Sequence, residues 1–199
     1  VTIADAGAFS VGLGSMVLIK TLTASSSSTL SFVDGAASVV LDSTYPIYKF
    51  EFIDIHPATD AAEFQFQGNA AGGSGYNETI TSTGFAPRHS EDDTSEVGMS
   101  YQSANDKAQG TTFQDIFLNA GNANDECISG FLTLFNPSST TFVKHFISRV
   151  QGSHNANSSF EYFFAGYFNT TAAIDEIRFQ MSSGNIDAGK IKLYGIKDS

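Results

Sequence analysis

The clearest regularity along the chain is an alternation of apolar and polar side chains with a period of two. In YKFEFIDI, Tyr48, Phe50 and Phe52 fall on one face. Lys49 and Glu51 fall on the other, giving way to Ile53 and Ile55. That period predicts a strand with one buried face. His56-Pro57 closes it, because proline has no N–H to give to a ladder. EFQFQ at Glu63–Gln67 repeats the pattern. In Ile174–Met181, Ile177, Phe179 and Met181 alternate with Glu176, Arg178 and Gln180.

Further strands are predicted at Met16–Leu22, Thr29–Val33 (stopped by the turn pair Asp34-Gly35), Thr112–Leu118, Ile128–Phe135, Thr141–Val150, Phe160–Phe168 and Lys190–Lys197. Weaker ones fall at Glu78–Phe85 and near Val97–Gln102. Both lie in the Gly68–Gly110 stretch, the least ordered text of the chain, which also holds Gly72-Gly73-Ser74-Gly75 and Ser90-Glu91-Asp92-Asp93. No window carries the i, i+3, i+4, i+7 spacing of a capped helix, and no helical crossover separates the strands. No fixed-period repeat points to a propeller or solenoid. Roughly nine to eleven short strands joined by polar turns predict an all-β, antiparallel β-sandwich, jelly-roll-like, over residues 16–199. The small, Gly-rich opening text, VTIADAGAFSVGLG, predicts an extended N-terminal arm over residues 1–15.

Composition narrows the classes. Of the 199 residues 41% are hydrophobic, enough for one real core, and only 16% are charged, against about 25% in an ordinary soluble domain. That excludes disorder and long charged helices. Ten Lys and Arg face 21 Asp and Glu, a net charge of -11. Affinity for nucleic acid and for anionic membranes comes mostly from Lys and Arg, so neither partner is expected. No apolar run reaches the ~20 residues of a membrane-spanning helix, and the opening residues lack the basic stretch of a secretory leader.

The single cysteine, Cys127, excludes an internal disulfide and a thiolate zinc site. Its neighbours Asp125 and Glu126 disfavour a thiolate, so it reads as a small half-buried hydrophobe beside a strand start. Three glycosylation sequons, at Asn77, Asn157 and Asn169, read as chance in an Asn/Ser/Thr-rich chain.

Candidate chemistry is thin. His89 with Glu91, Asp92 and Asp93 is the densest ligand-type cluster, but it lacks the ordered spacing of a calcium loop. His145 shares the row Val143, His145, Ile147, Arg149 and is expected to be an interior or interface histidine. His56 and His154 suggest no catalysis. Nucleophile elbows, phosphate loops and dinucleotide fingerprints are absent, and no carboxylate pair stands out for sugar hydrolysis. The expectation is therefore no enzyme, with no catalytic residues, cofactor or metal.

The aromatic excess is the remaining oddity: 18 Phe and 7 Tyr, with no Trp. Phe160-Glu161-Tyr162-Phe163-Phe164-Ala165-Gly166-Tyr167-Phe168 puts aromatics on both faces of one strand. One face can pack the core; the other needs cover from a second layer or another subunit. The contact residues expected from this reading are Phe160, Tyr162, Phe164 and Tyr167, with Val1, Ile3, Phe9, Val11 and Leu13 of the arm.

The text IDEIRFQMSSGNIDAGKIKLYGIK, Ile174 to Lys197, resembles the ending of virion-associated structural proteins of marine tailed bacteriophages, cyanophages among them. YKFEFIDIHPATDAAEFQFQ, NDECISGFLTLFNPSSTTFVKHFISR and AGYFNTT are similar to the same family. The likeness covers most of the chain after about Leu18, and the first ~15 residues depart from it. It implies a virion part and carries no catalytic residues. The role expected is a non-enzymatic capsid decoration or cement protein on the particle exterior, made in the bacterial host cytoplasm. Its partners would be the major capsid protein or other virion proteins, and it would form a homo-oligomer, a trimer at local three-fold positions. The alternative is a glycan-binding adhesin domain of a tail fibre, with a glycan receptor as its partner. Absence of Trp, the best stacking platform for sugars, counts mildly against the adhesin.

Overall fold

The computed structural model describes residues 15–93 and 97–198. The predicted arm residues Val1, Ile3, Phe9, Val11 and Leu13 lie outside the described residues. Among the described residues twelve strands run in chain order: β1 Met16–Thr23, β2 Leu30–Val33, β3 Ile47–Pro57, β4 Ala62–Ala70, β5 Ile80–Ser90, β6 Gly98–Tyr101, β7 Gln114–Ala120, β8 Ile128–Phe135, β9 Lys144–His154, β10 Ser158–Phe168, β11 Ile174–Met181 and β12 Ile186–Ile196. All pairings are antiparallel. The chain is all-β, as the period-two text predicted.

The pairing order has a simple logic. β12 lies beside β1 and β3, β11 beside β2 and β4, β8 beside β3, and β7 beside β4. An early ribbon, β1 to β4, is thus matched by later strands running back along it. The ribbon rolls so that β1-β12-β3-β8 faces β2-β11-β4-β7. Four further strands extend the first layer beyond β8, in the order β9-β10-β5-β6. β7 of one layer pairs with β9 of the other at Ala120 and His154.

Rolling brings the alternating aromatics together. Phe179 of β11 packs on Phe32, Phe50, Phe52, Phe64 and Phe66 from β2, β3 and β4, with ring centroids 5.2–6.3 Å apart. All six rings are at most 2% exposed. Burial of this much aromatic surface is the main stabilising term, at roughly 25 cal/mol per Å² of apolar area.

One local rule breaks with physical cause. Strict alternation puts Ile55 on the outer face with Lys49 and Glu51. A bulge between Phe52 and Ile55, with Asp54 at φ 51°, resets the parity and sends Ile55 into the core. The described residues of the Gly68–Gly110 stretch are also more ordered than their text suggests. Buried Gln67 donates from Nε2 to the carbonyls of Glu78, Thr111 and Thr112. Buried Gln114 accepts from the Ser82 hydroxyl and donates to the Asn105 carbonyl. These two amides tie β5 and its flanking loops to the frame, because an unpaired buried amide is costly.

Candidate docking face

The β9-β10-β5-β6 extension positions the most unusual surface of the molecule. On β10 the inner row is Phe160, Tyr162, Phe164, Gly166 and Phe168, and the outer row is Glu161, Phe163, Ala165 and Tyr167. Phe160, Tyr162 and Phe164 were expected as contact residues, but they are 8%, 2% and 1% exposed. Their own chain covers them: Tyr162 packs edge-on to Phe117, and Phe164 lies against Gly84. They are core residues. Of the four expected on this strand, Tyr167 alone belongs to the outer row.

For His145 the structure corrects the interior placement. Its row on β9, with Ile147, Arg149 and Gln151, faces out. The inner row is Lys144, Phe146, Ser148 and Val150. Sequence alone misassigned the parity because the inner row carries the polar Lys144 and Ser148 while the outer row carries the aliphatic Ile147. Lys144 is fully buried, and its Nζ donates to the Thr170 carbonyl at 3.1 Å. Burial holds its ammonium below the ordinary lysine range, with Glu78 opposing.

The outer face of the extension has two parts. Near β6, Phe163 stacks flat on Phe85, centroids 4.8 Å apart and planes 6° from parallel. Arg149 lies over the Phe163 ring at 5.2 Å and is ion-paired with Glu161. Beside them Phe85, Tyr101 and Met99 are 42%, 58% and 71% exposed. Met99 and Tyr101 pair with Pro87 and Phe85 across the β5–β6 ladder. None of Phe85, Phe163, Met99 or Tyr101 was singled out from sequence. The available signal was the coincidence of two weak strands, each with apolar residues at alternate positions.

At the other end of the same face lies an open groove of about 520 Å³. Its walls include Phe135, Ile147, Tyr167 and His145, with Ala165 beside them on β10 and Thr81 and Thr83 on the β5 side. The His145 and Tyr167 rings sit 5.7 Å apart. The lining is apolar, with hydroxyls at one margin.

Other clusters carry less. His89 Nε2 is 3.2 Å from Asp93 Oδ1, and its Nδ1 is 2.8 Å from the Ser90 carbonyl. Among the described residues no group of three His, Cys, Asp or Glu side chains is placed to hold a metal ion. A polar cleft holds Asp54, His56, Glu126 and Cys127. Burial, and then the Asp54 charge, push the Cys127 thiol up, against the thiolate that nucleophilic chemistry needs. The sequence neighbours Asp125 and Glu126 gave the right direction for a different reason. His56 Nε2 is 3.2 Å from the Ala123 carbonyl, an arrangement that ties the end of β3 to the β7–β8 loop.

Comparisons with family models, with curated proteins and with solved structures returned no match.

Proposed function

We propose that this chain is a structural virion protein of a tailed bacteriophage that docks on its neighbours through the outer face of the β9-β10-β5-β6 extension. The role is decoration or cementing of the capsid exterior, and the frame is a jelly roll. The observation that carries the reading is the exposed cluster Phe85, Met99 and Tyr101 beside Phe163. Large apolar side chains grouped on one sheet face mark an interaction surface rather than a random exposure. The net charge of -11 supports it from the other side. Like-charged copies repel over most of their surface, so contact is favoured where charge is low and apolar area is high. The likeness of the strand texts to phage structural proteins supplies the setting. Weak contacts repeated over a symmetric shell add up through effective concentration, so a modest patch on each copy is enough.

The test uses purified particles of the phage that encodes the chain. Antibody against the chain should label intact capsids, and Phe85→Asp with Met99→Asp should abolish capsid occupancy while the free protein keeps its near-UV circular dichroism. Absence of the chain from intact particles, or full occupancy by the double variant, overturns the reading. A glycan array separates it from the tail-fibre adhesin: specific micromolar sugar binding would favour the adhesin.

A further inference from the structure

We infer that the free edge of β6 is a strand-addition site whose occupant is a second copy of this chain, β6 against β6 across a two-fold axis at Ser100. The inference deepens the docking reading by naming one neighbour, and it rests on that reading's apolar cluster but not on the virion.

Hydrogen-bond parity defines the edge. Gln102 N–H donates to the Gly84 carbonyl at 2.9 Å, so Gly84 and Gln102 are a bonded pair of the β5–β6 ladder. Pairs along an antiparallel ladder alternate between bonded and non-bonded. The pairs that follow are Phe85 with Tyr101, Ala86 with Ser100 and Pro87 with Met99. Ser100 therefore turns its backbone groups toward β5, while Met99 and Tyr101 turn theirs away. Pro87 agrees with this parity: it has no N–H to offer β10, and the β5–β10 register has no partners at Glu161 and Tyr162. Among the described residues β6 pairs with β5 alone, so the N–H and C=O groups of Met99 and Tyr101 face no described strand of this chain.

Edge strands are ordinarily guarded by a charge, a proline or a bulge. At the far edge of the same layer, β1 carries Lys20 and a bulge between Leu18 and Lys20. β6 has none of these guards: it reads Gly98-Met99-Ser100-Tyr101, and residues 97–105 hold no charge. In a chain of net charge -11 this is a seam where two copies meet without opposing like charges.

Parity then fixes the register. The outward groups of Met99 and Tyr101 must meet outward groups of the second strand. With Met99 opposite the second copy's Tyr101, every paired residue, 98–102, is itself held on the β5 ladder. A shift by two residues in either direction leaves that ladder. Opposed residues share a face, and a two-fold axis perpendicular to the sheet keeps outer side with outer side. The second copy's Met99 thus continues the outer row Phe163, Phe85, Tyr101. The Tyr101 ring is already held in place, its hydroxyl donating to Asp106. Short strands with Phe85, Met99 and Tyr101 exposed on each copy make a contact smaller than the ~800 Å² per partner of a standard stable complex, so the dimer dissociates on dilution.

Ser100 faces its own copy in a non-bonded pair, about 4.5 Å between Cα atoms, within disulfide reach. Met99 meets its own copy only diagonally, about 7–8 Å away and beyond that reach. The full chain is used with Cys127→Ser, which removes its single cysteine. In that background Ser100→Cys under mild oxidant should give several-fold more covalent dimer on a non-reducing gel than Met99→Cys. Sedimentation of the unsubstituted chain should show a monomer–dimer equilibrium. Met99→Pro removes an outward N–H and leaves the β5 ladder intact, so it should weaken the dimer several-fold. Near-UV circular dichroism checks the fold, and if Met99→Pro does not fold, the comparison of Ser100→Cys with Met99→Cys decides alone. A monomer at every concentration, equal or faster cross-linking of Met99→Cys, or an undiminished dimer in folded Met99→Pro overturns the inference. A monomeric chain whose Phe85→Asp, Met99→Asp variant still loses the particle overturns self-pairing and leaves the docking reading standing. A Ser100-centred dimer that is absent from particles does the reverse.

Discussion

The rolled frame and the β9-β10-β5-β6 extension are built from the same kind of strand, yet they cover their apolar residues differently. In the frame, two layers face each other, and Phe179 is wrapped by five other rings from β2, β3 and β4. The extension has a covered inner side and an uncovered outer side. β10 shows both conditions in adjacent residues: Phe164 is 1% exposed against Gly84, while Phe163 stacks on a Phe85 that is itself 42% exposed. Residue type is the same; what differs is whether this chain supplies a second layer. The lesson is that apolar content alone does not tell a core from a docking face.

Four substitutions break or sharpen that contrast. Phe179→Ala removes the ring shared by the frame cluster and should cost about 3–5 kcal/mol, read from urea unfolding. A loss under about 1 kcal/mol would mean that the two layers are not packed as described. Gly84→Ala comes next. A Cβ there would sit 2.3 Å from the Phe164 ring, so overpacking should cost about 1–3 kcal/mol.

Lys144→Met tests the buried cation in the extension's inner row. The folded-state pKa is lowered by burial, so the unfolded chain binds this proton more tightly. The residue therefore costs stability at neutral pH, and that cost fades as pH rises from the lowered value toward the ordinary value of about 10.4. The variant should raise the urea midpoint at pH 7 and flatten the rise in stability on the alkaline side. An unchanged midpoint at both pH values would refute the assignment.

Phe163→Ala, one position from a core ring, should move stability by no more than about 1 kcal/mol. Its effect belongs in association instead, measured by sedimentation as weaker self-contact or loss of particle occupancy. A loss as large as that of Phe179→Ala would place Phe163 in the core and end the comparison.

Much of the frame was legible because alternation is local. Ile128–Phe135 and Ile174–Met181 were delimited from text alone, and Tyr48, Phe50 and Phe52 were assigned to the buried side by period. The docking face was much less legible. Phe160–Phe168 announced aromatics on two sides but not which side was in. On β9 the inner Lys144 and Ser148 and the outer Ile147 gave the opposite impression. The two cues that decide such cases are long-range: Thr170, which receives the Lys144 ammonium, is 26 residues away, and Gly84, which accommodates the Phe164 ring, is 80 residues before it.

By itself the sequence determined that this protein is made of antiparallel strands and carries a net charge of -11. Periodicity, turn residues and charge are properties of neighbouring positions, and they survive without a fold. Tertiary structure alone decided the roll of the ribbon, the bulge that turns Ile55 inward, and the outward-facing side of the extension that carries Tyr167, Phe163, Phe85 and Met99. Those outcomes depend on which distant strand lies alongside, and a strand's period of two fixes that it has two faces without saying which one its neighbours will cover.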